Sequence, residues 1–248
     1  NSNDNAQEIT EIMLDLALEY ENLLDFNGAI KVLDKLLSHS PDNESAIYEI
    51  AYCYERLGNF DKCIEYYNKY IDNNPYSFTA WYNLGNIYFL KKDTEKALWA
   101  YGFSTIINED FSSAHFNIGN TYMQIEDFDN AIAAYEKCLK LDSDDALTLC
   151  YMGEAYERKE QYETALKYYN KSKTINVDLA DAWLGIGIVK DLLGQTNQSI
   201  SYLQQAVNIQ TSNANYNLVL GEALFKLERF AEAELALERA LQLDGTYS

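Results

Sequence analysis

Histidine and cysteine, which often carry catalysis or bind metals, are scarce in this sequence. It contains only two histidines, His39 and His115, which fall in different segments of the chain. His115 stands where equivalent segments carry Trp, Ile or Leu, so we expect a partly buried packing residue, although an oriented histidine can act as a general base. The four cysteines include no C-x-x-C pair and no histidine at ligand spacing, which argues against a zinc or redox site. These cysteines are Cys53, Cys63, Cys138 and Cys150.

Two short motifs begin like ligand-binding loops but lack a required residue. Gly185–Gly187 begins like a dinucleotide-binding loop, yet Lys190 stands where the third glycine is needed and the motif falls inside a predicted helix. Asp142–Asp145 begins like a calcium loop but has no glycine at the sixth position. We interpret it as a turn that supplies the N-cap of the next helix. With 39 acidic residues, carboxylate pairs arise by chance, so the sequence predicts a non-enzyme with no cofactor and no metal.

Composition and charge narrow the function classes further. Apolar residues make up 48% of the 248 residues, and only two prolines and eleven glycines are present, so a globular and mostly α-helical chain is expected. The formal net charge is −20, which would repel nucleic-acid phosphates and anionic lipid. The acidity fits either basic partners or simple solubility. Because of this charge, we expect no nucleic-acid partner. Apolar runs are too short for a membrane span, so we expect no direct membrane insertion.

Localisation depends on the cysteines and on the start of the sequence. Cys53, Cys63 and Cys138 fall in apolar helical patterns, where cysteine behaves as a small hydrophobe. Free buried thiols are typical of a reducing compartment, which favours the cytoplasm. The sequence begins at Asn1 and not at a methionine, so we expect the natural start, with any signal or anchor, to lie outside it. Secreted and periplasmic locations therefore stay open as alternatives.

One segment, residues 81–97, organises the rest of the chain. Trp81, Leu84, Gly85 and Tyr88 recur at i, i+3, i+4 and i+7, which is one face of a helix, and a second amphipathic run starts at Ala97 after a polar break. Steps of 34 residues reach equivalent residues in seven units without insertion or deletion. The eighth residue of each unit is Ala or Gly, and the twentieth is Ala, Cys or Ser. Small residues at these two positions let antiparallel helices approach closely.

The spacing Trp-x2-Leu-Gly-x2-Tyr, with a small residue nine positions on and an aromatic four beyond it, resembles the tetratricopeptide repeat (TPR). The resemblance implies an all-α fold, an α-solenoid in which seven helix-turn-helix repeats form a right-handed superhelix. Residues 1–9 are expected to be a polar leader, and residues 10–248 the repeat array, with helices over about 10–23 and 26–39 and every 34 residues thereafter. Lys190 and Asn217 depart from the pattern and mark the last two units as less regular. The units start at residues 10, 44, 78, 112, 146, 180 and 214.

In the family that this sequence resembles, the first helix of each repeat lines a concave groove. Carried over to these residues, the resemblance implies a groove that is uncharged and rich in aromatic and amide groups at its middle, with glutamates on both flanks. Asparagine both donates and accepts hydrogen bonds, so it can pair with the backbone of an extended peptide, or it can equally satisfy neighbouring helices. Tyr and Phe supply stiff contact area. The candidate ligand-binding residues are Tyr48, Tyr52, Tyr82, Asn83, Asn86, Phe89, Phe116, Asn117, Asn120, Tyr151, Glu154 and Glu157.

The leading hypothesis is a non-catalytic scaffold that binds a peptide or protein segment in this groove. The glutamates favour a ligand with basic flanks, whose affinity should fall with salt. A clamp for a C-terminal carboxylate is not expected, because the positions that carry Lys or Arg in such clamps hold Tyr82, Ser113 and Asn117. The alternative is a structural repeat protein that self-associates through an uncapped C-terminal end. A monomer or a weak homodimer is expected.

Overall fold

The computed structural model describes residues 2–244, with side chains from residue 5 onward. In that range the chain forms fourteen α-helices and no strand, which confirms the all-α helical repeat fold. The helices are α1 (Ser2–Asn22), α2 (Phe26–His39), α3 (Glu44–Arg56), α4 (Phe60–Asn73), α5 (Phe78–Leu90), α6 (Thr94–Ile107), α7 (Ser112–Gln124), α8 (Phe128–Leu141), α9 (Ala146–Arg158), α10 (Tyr162–Ile175), α11 (Ala180–Leu192), α12 (Thr196–Ile209), α13 (Ala214–Lys226) and α14 (Phe230–Asp244).

The helices pair into seven repeats of equal length. From α3 onward each odd-numbered helix begins 34 residues after the previous one, at the positions that the sequence spacing predicts. We number the repeats one to seven, from α1–α2 to α13–α14. The chain divides into two compact units between Thr121 and Tyr122. The first unit contains α1 to α6 and most of α7, and the second contains α8 to α14.

The first helix begins earlier than predicted. α1 starts at Ser2, so most of the segment expected to be a polar leader continues this helix towards the N-terminus. The segment contains no proline or glycine that would stop a helix. Polar side chains support the extension, because Gln7 Nε2 donates to Glu11 Oε1 at 3.2 Å and the Thr10 hydroxyl donates to the Ala6 carbonyl at 3.0 Å.

Close packing within a repeat follows from the small residue at its eighth position. In repeat three, a Cβ atom added to Gly85 would lie 2.5 Å from Cδ1 of Tyr101, whose ring is fully buried between α5 and α6. In repeat five, a Cβ added to Gly153 would lie 2.7 Å from the equivalent atom of Tyr169. The missing side chains therefore make room for large rings from the second helix, as the sequence pattern indicated.

The turn inside each repeat has the same backbone geometry in all seven copies. The fifteenth residue of every repeat has a positive φ, between 58° and 74°. The next residue donates its N–H to the carbonyl five residues earlier, as Asp93 does to Tyr88 at 2.9 Å. These are the left-handed residue and the 6→1 bond of a Schellman motif, which ends a helix and reverses the chain. Only two of the seven are glycines; the full set is Leu24, Gly58, Lys92, Glu126, Glu160, Gly194 and Glu228.

Local capping and burial agree with several sequence predictions. Asp145 caps α9, since its Oδ1 accepts N–H groups of Leu147 and Thr148, so the calcium-like motif is a helix-capping turn. His115 is buried, with Nε2 2.9 Å from the Glu109 carbonyl oxygen, which is a packing role. All four cysteines are buried and free.

Candidate functional site

Nine of the twelve predicted ligand-binding residues lie on three consecutive odd-numbered helices of the first unit, α3, α5 and α7. Helix periodicity places them: on α5, Tyr82, Asn83 and Asn86 fall between core residues such as Leu84, so they emerge on another side of the helix. All nine are half-buried and none belongs to the fully buried core. We call them the amide–aromatic row: Tyr48, Tyr52, Tyr82, Asn83, Asn86, Phe89, Phe116, Asn117 and Asn120.

A hydrogen bond joins the row across α3 and α5. Nδ2 of Asn83 donates to the hydroxyl oxygen of Tyr48 at 2.7 Å. The Tyr48 ring is held in turn by edge contacts with two rings of α4, with centroids 5.7 Å away at Tyr67 and 5.0 Å away at Tyr70. Burial raises the pKa of the Tyr48 hydroxyl, so this hydroxyl is neutral at physiological pH. The amide of Asn83 is therefore anchored to a rigid aromatic neighbour.

A second set of bonds joins α5, α6 and α7. Oδ1 of Asn86 accepts the hydroxyl hydrogen of Tyr101 at 2.8 Å and an N–H of Asn117 at 2.9 Å. Nδ2 of Asn117 also lies 3.2 Å from the hydroxyl oxygen of Tyr82 and donates to it. Burial raises the pKa of Tyr101, which keeps its hydroxyl protonated and able to donate. The two asparagines are thus oriented by the core beneath them.

These bonds engage one polar side-chain atom of each of Asn83, Asn86 and Asn117. Oδ1 of Asn83, Nδ2 of Asn86 and Oδ1 of Asn117 take part in none of the bonds just described. All three asparagines are half-buried, and in the part of the chain that the structure describes no buried side-chain nitrogen or oxygen lacks a hydrogen-bond partner, so any of these three atoms that has no partner is accessible to solvent. The row therefore presents an acceptor, a donor and a second acceptor.

Aromatic rings on both sides of the amides are fixed by ring contacts. The Tyr82 ring lies 5.9 Å from that of Tyr101 and 5.0 Å, edge-on, from that of Phe111. The Tyr52 ring makes an edge contact with Phe26 at 6.3 Å. Edge-to-face and offset contacts at such distances restrict ring motion and add to the energy of burial. The exposed parts of these rings are therefore a preformed apolar surface.

Two carboxylates of α3 lie in half-buried positions beside the row. Burial raises the pKa of Glu49, and the nearby Glu21 carboxylate raises it further. Burial also raises the pKa of Glu55, an effect partly offset by the Tyr67 hydroxyl 3.5 Å from its Oε2. Neither carboxylate forms a salt bridge with the residues that the structure describes. The charge of Arg56 partly compensates that of Glu55, whereas the charge of Glu49 is opposed by that of Glu21.

The other three predicted residues, Tyr151, Glu154 and Glu157, lie on α9 in the second unit. Burial raises the pKa of both glutamates, and the charge of Asp181 raises that of Glu154 further. The Tyr169 hydroxyl donates to Oε2 of Glu157 at 2.7 Å. Tyr151 is half-buried on the same helix, and burial raises its pKa too. The second unit therefore carries its own acidic surface.

Other kinds of site find no support in the described residues. Across residues 2–244, His, Cys, Asp and Glu side chains form no group of three or more that could hold a metal ion. Within the same range, no helix is both long and apolar enough to span a membrane.

Family models match much of the chain. Three models described as tetratricopeptide repeat match residues 112–145, 134–167 and 192–248. A fourth, described as anaphase-promoting complex, cyclosome, subunit 3, matches residues 22–104. Matches to this repeat family, together with the recurring helix pairs, decide the assignment. The chain belongs to the tetratricopeptide repeat family. TPR proteins typically bind protein partners and are generally non-catalytic scaffolds.

Solved structures have the same TPR fold. The crystal structure of MamA protein is 27% identical, covers 70% of this chain and 95% of its own, and has a TM-score of 0.64. A tetratricopeptide repeat protein from Parabacteroides merdae ATCC 43184 is 15% identical, with coverages of 96% and 94% and a TM-score of 0.80. PilF of Pseudomonas aeruginosa is 18% identical, with coverages of 90% and 99% and a TM-score of 0.70. The last two likenesses concern the fold alone. No curated protein matches the chain.

The TPR pattern also contains a contribution to the site that sequence reasoning missed. A tyrosine stands at the twenty-fourth position of repeats two to five, and none of these tyrosines is among the predicted site residues. In the structure, Tyr67, Tyr101 and Tyr169 occupy this position, and their hydroxyls bond to Glu55, Asn86 and Glu157 respectively. The sequence contained an indication of this role, because the other repeats carry leucine at this position and a tyrosine hydroxyl in a core needs a polar partner.

Proposed function

We propose that the amide–aromatic row binds an extended segment of a partner protein, and that the chain acts as a non-catalytic scaffold. One observation carries the proposal: Asn83 Oδ1, Asn86 Nδ2 and Asn117 Oδ1 offer an acceptor, a donor and an acceptor to solvent. An extended peptide presents N–H and C=O groups that alternate along its backbone. The row is suited to pair with that backbone whatever side chains the peptide carries.

The rings of the row would supply the apolar part of the contact. Tyr52, Tyr82 and Phe89 are half-buried, and ring contacts already hold the first two in place. A preformed ring loses little conformational freedom when a ligand binds, so more of the contact energy is kept as affinity. This supports a ligand with apolar side chains that alternate with its backbone pairs.

The carboxylates beside the row both lie on α3, so they favour a basic residue at the end of the ligand that lies near that helix. Burial raises the pKa of both Glu49 and Glu55, because a carboxylate is less well hydrated in a half-buried position. A lysine or arginine of the ligand would compensate the charge. Affinity should then fall with added salt, because exposed charge pairs are screened.

Peptides with modified backbones test this proposal most directly. The probes are a pool of short fluorescent peptides with lysine at both ends and a centre randomised among apolar residues, and the same pool with N-methyl groups on the central amides. Methylation removes the N–H donors that the two acceptors need. Because each polar group left unpaired costs about 1–3 kcal/mol, affinity measured by anisotropy should fall by about tenfold or more.

A matched pair of variants tests the role of Asn86 in the same assay. Asn86→Asp keeps the oxygen that accepts from Tyr101 but replaces the solvent-facing donor with an acceptor, so binding of the unmethylated pool should weaken. Asn68→Asp, at an exposed position on α4, adds the same charge away from the row and should leave binding unchanged. Equal affinity for both pools, or full binding by a folded Asn86→Asp variant, would contradict the proposal.

The alternative, self-association through the last repeat, has a narrower basis. α13 and α14 form an apolar pocket of about 470 Å³ in the second unit, lined by residues that include Leu218, Leu237 and Leu241. Such a pocket fits any apolar side chain and favours no particular partner. Binding of an extended segment by the amide–aromatic row therefore remains the proposed function.

A further inference from the structure

A cavity of about 340 Å³ lies between α12, α13 and α14 in the second unit. Apolar side chains line much of it, among them Val207, Leu220 and Leu224, and the buried side chain of Asn217 lines it as well. We call it the repeat-seven cavity. An apolar cavity of about 150 Å³ is already large enough to bind benzene, so this one has room for a bicyclic ring. It is separate from the amide–aromatic row, which lies in the first unit.

The cavity exists because the fourth position of the repeat carries a small side chain here. In repeat three this position holds Trp81, whose indole contacts Trp99 edge-on at 4.9 Å and stacks on Phe103 at 4.6 Å. The equivalents of these two contact residues in repeat seven, Leu235 and Arg239, both line the cavity. The cavity therefore takes the place that an indole fills in repeat three. Every other repeat carries a larger side chain than asparagine at the fourth position: Met13, Ile47, Trp81, His115, Leu149 and Trp183.

A backbone carbonyl beside this position bonds to an indole in two other repeats. The indole N–H of Trp81 donates to the Pro75 carbonyl at 2.9 Å. That of Trp183 donates to the Val177 carbonyl at 2.8 Å. The equivalent carbonyl before repeat seven is that of Thr211, and it accepts no hydrogen bond from the residues that the structure describes. An indole placed in the cavity as Trp81 is placed in repeat three would have this acceptor for its N–H.

Asn217 supplies a second acceptor. Its Nδ2 donates to the Asn213 carbonyl at 3.0 Å, which fixes the orientation of the amide. Its Oδ1 accepts no hydrogen bond within residues 5–244. In that range no buried side-chain oxygen lacks a partner, so this oxygen is accessible although the residue is only 4% exposed. Because Asn217 lines the cavity, its accessible oxygen favours a ligand that carries a hydrogen-bond donor.

A cation at the mouth of the cavity favours a flat aromatic ring. Arg239 is exposed and forms no salt bridge with the described residues. It occupies the position from which Phe103 stacks on Trp81, and a guanidinium stacks on aromatic faces as a ring does. The same unit contains an example of such a contact, since the ammonium of Lys173 lies 4.9 Å from the centroid of the Trp183 ring.

We propose that the repeat-seven cavity binds an indole ring, which is either a free small molecule or the side chain of a tryptophan. The ring would lie against the apolar side chains and beneath the guanidinium of Arg239. Its N–H would donate to the Thr211 carbonyl or to Oδ1 of Asn217. A ring of this size in a cavity open to solvent binds weakly, with a dissociation constant roughly in the high micromolar to millimolar range.

Titration of the full chain into a fluorinated indole, followed by fluorine NMR, tests this site. The wild type should broaden and shift the fluorine signal with saturation. Asn217→Trp should abolish the binding, because the new side chain fills the cavity, and the fold should persist because repeats three and six carry tryptophan at this position. Asn215→Trp is the control: it adds the same residue at an exposed position of α13, beside the other pocket of the last repeat, and should leave the titration unchanged.

Competitors distinguish the two sources of the ring and test the hydrogen bond. Displacement of the fluorinated probe by free indole alone would assign the cavity to a small molecule, whereas displacement by the capped tripeptide Ala-Trp-Ala as well would show that it admits a tryptophan side chain. N-methylindole should compete about tenfold more weakly than indole, because it has no N–H to donate. Equal competition by the two would overturn the proposed hydrogen bond.

Amide chemical shifts of the wild type locate the site without any substitution. Free indole should shift the backbone amide signals of Leu220, Leu224 and Ala236, which line the cavity, more than that of Leu218, which lines the other pocket. No saturable binding at millimolar concentration would overturn the proposal. So would equal binding by wild type and a folded Asn217→Trp variant, or shifts centred on Leu218.

Discussion

Asn86 Oδ1 accepts the hydroxyl hydrogen of Tyr101 at 2.8 Å, so one bond connects the exposed amide–aromatic row to the buried core of repeat three. The Tyr101 ring is fully buried, whereas Asn86 is half-buried. Because the oxygen of the amide is bonded to Tyr101, its nitrogen points away from that ring. Packing and the proposed recognition are therefore coupled in a single side chain.

Asn86→Ala is expected to destabilise the protein by about 1–3 kcal/mol, because the Tyr101 hydroxyl loses its acceptor and Asn117 loses a partner. Asn86→Asp retains an oxygen at the same place and should stay within about 1 kcal/mol of the wild type. Urea unfolding followed by circular dichroism measures both variants. If Asn86→Ala unfolds at the same urea concentration as the wild type, Asn86 does not support the core.

Two glycines of repeat three should respond oppositely to the same substitution. Gly85→Ala places a methyl group 2.5 Å from the buried Tyr101 ring and should destabilise the protein by about 1–3 kcal/mol. Gly102→Ala places a methyl group in open space on α6 and should stabilise the protein by about 1 kcal/mol, since alanine favours the helix. Thermal unfolding followed by circular dichroism measures both variants. Changes of the same sign at both positions would contradict this account of the packing.

Much of the fold could be predicted from spacing because the packing constraint recurs in every repeat. Gly85 and Tyr101 must meet for α5 and α6 to pack, and equivalent small and large residues recur 34 positions apart along the chain. The start of α1 could not be predicted in this way. Residues 2–9 precede the first position of the 34-residue pattern, and among those with described side chains local polar bonds such as that from Gln7 to Glu11 support the helix.

The candidate site was less predictable because position on a helix does not determine how a side chain is oriented. Sequence spacing predicted that Asn83 and Asn86 on α5 and Asn117 on α7 lie on corresponding faces of their helices. An amide on such a face can point either its oxygen or its nitrogen to solvent. Tyr48 and Tyr101 decide that orientation, and they belong to other helices. Which atoms a ligand would meet therefore depends on tertiary contacts.

The left-handed turn residues could not be predicted from residue type, because five of the seven are not glycine. They lead to a stability prediction. Glu160 has a φ of 58°, a conformation that costs a non-glycine residue about 1 kcal/mol, whereas Gly58 adopts the same conformation without a Cβ. Glu160→Gly should stabilise the protein by up to about 1 kcal/mol, and Gly58→Ala should destabilise it by a similar amount. Chemical denaturation measures both variants, with Glu163→Gly inside α10 as the control that should destabilise. A loss of stability in Glu160→Gly would show that the glutamate side chain contributes more than its backbone costs.

Glu154 should make the protein less stable as pH rises from acidic to neutral. Burial, with a smaller contribution from the charge of Asp181, raises the folded-state pKa of Glu154 above 4.5, and the charge of Arg158 offsets only part of this. The folded state therefore binds this proton more tightly than the unfolded state, and stability falls as pH rises from about 4.5 through the raised pKa. Glu154→Gln should consequently raise the unfolding temperature near pH 7.5, and the gain should shrink near pH 5 as the wild-type carboxyl becomes protonated. Glu163→Gln, at an exposed position on α10, removes the same charge and should give little change at either pH. An equal gain from both variants would assign the effect to net charge and not to the buried position of Glu154.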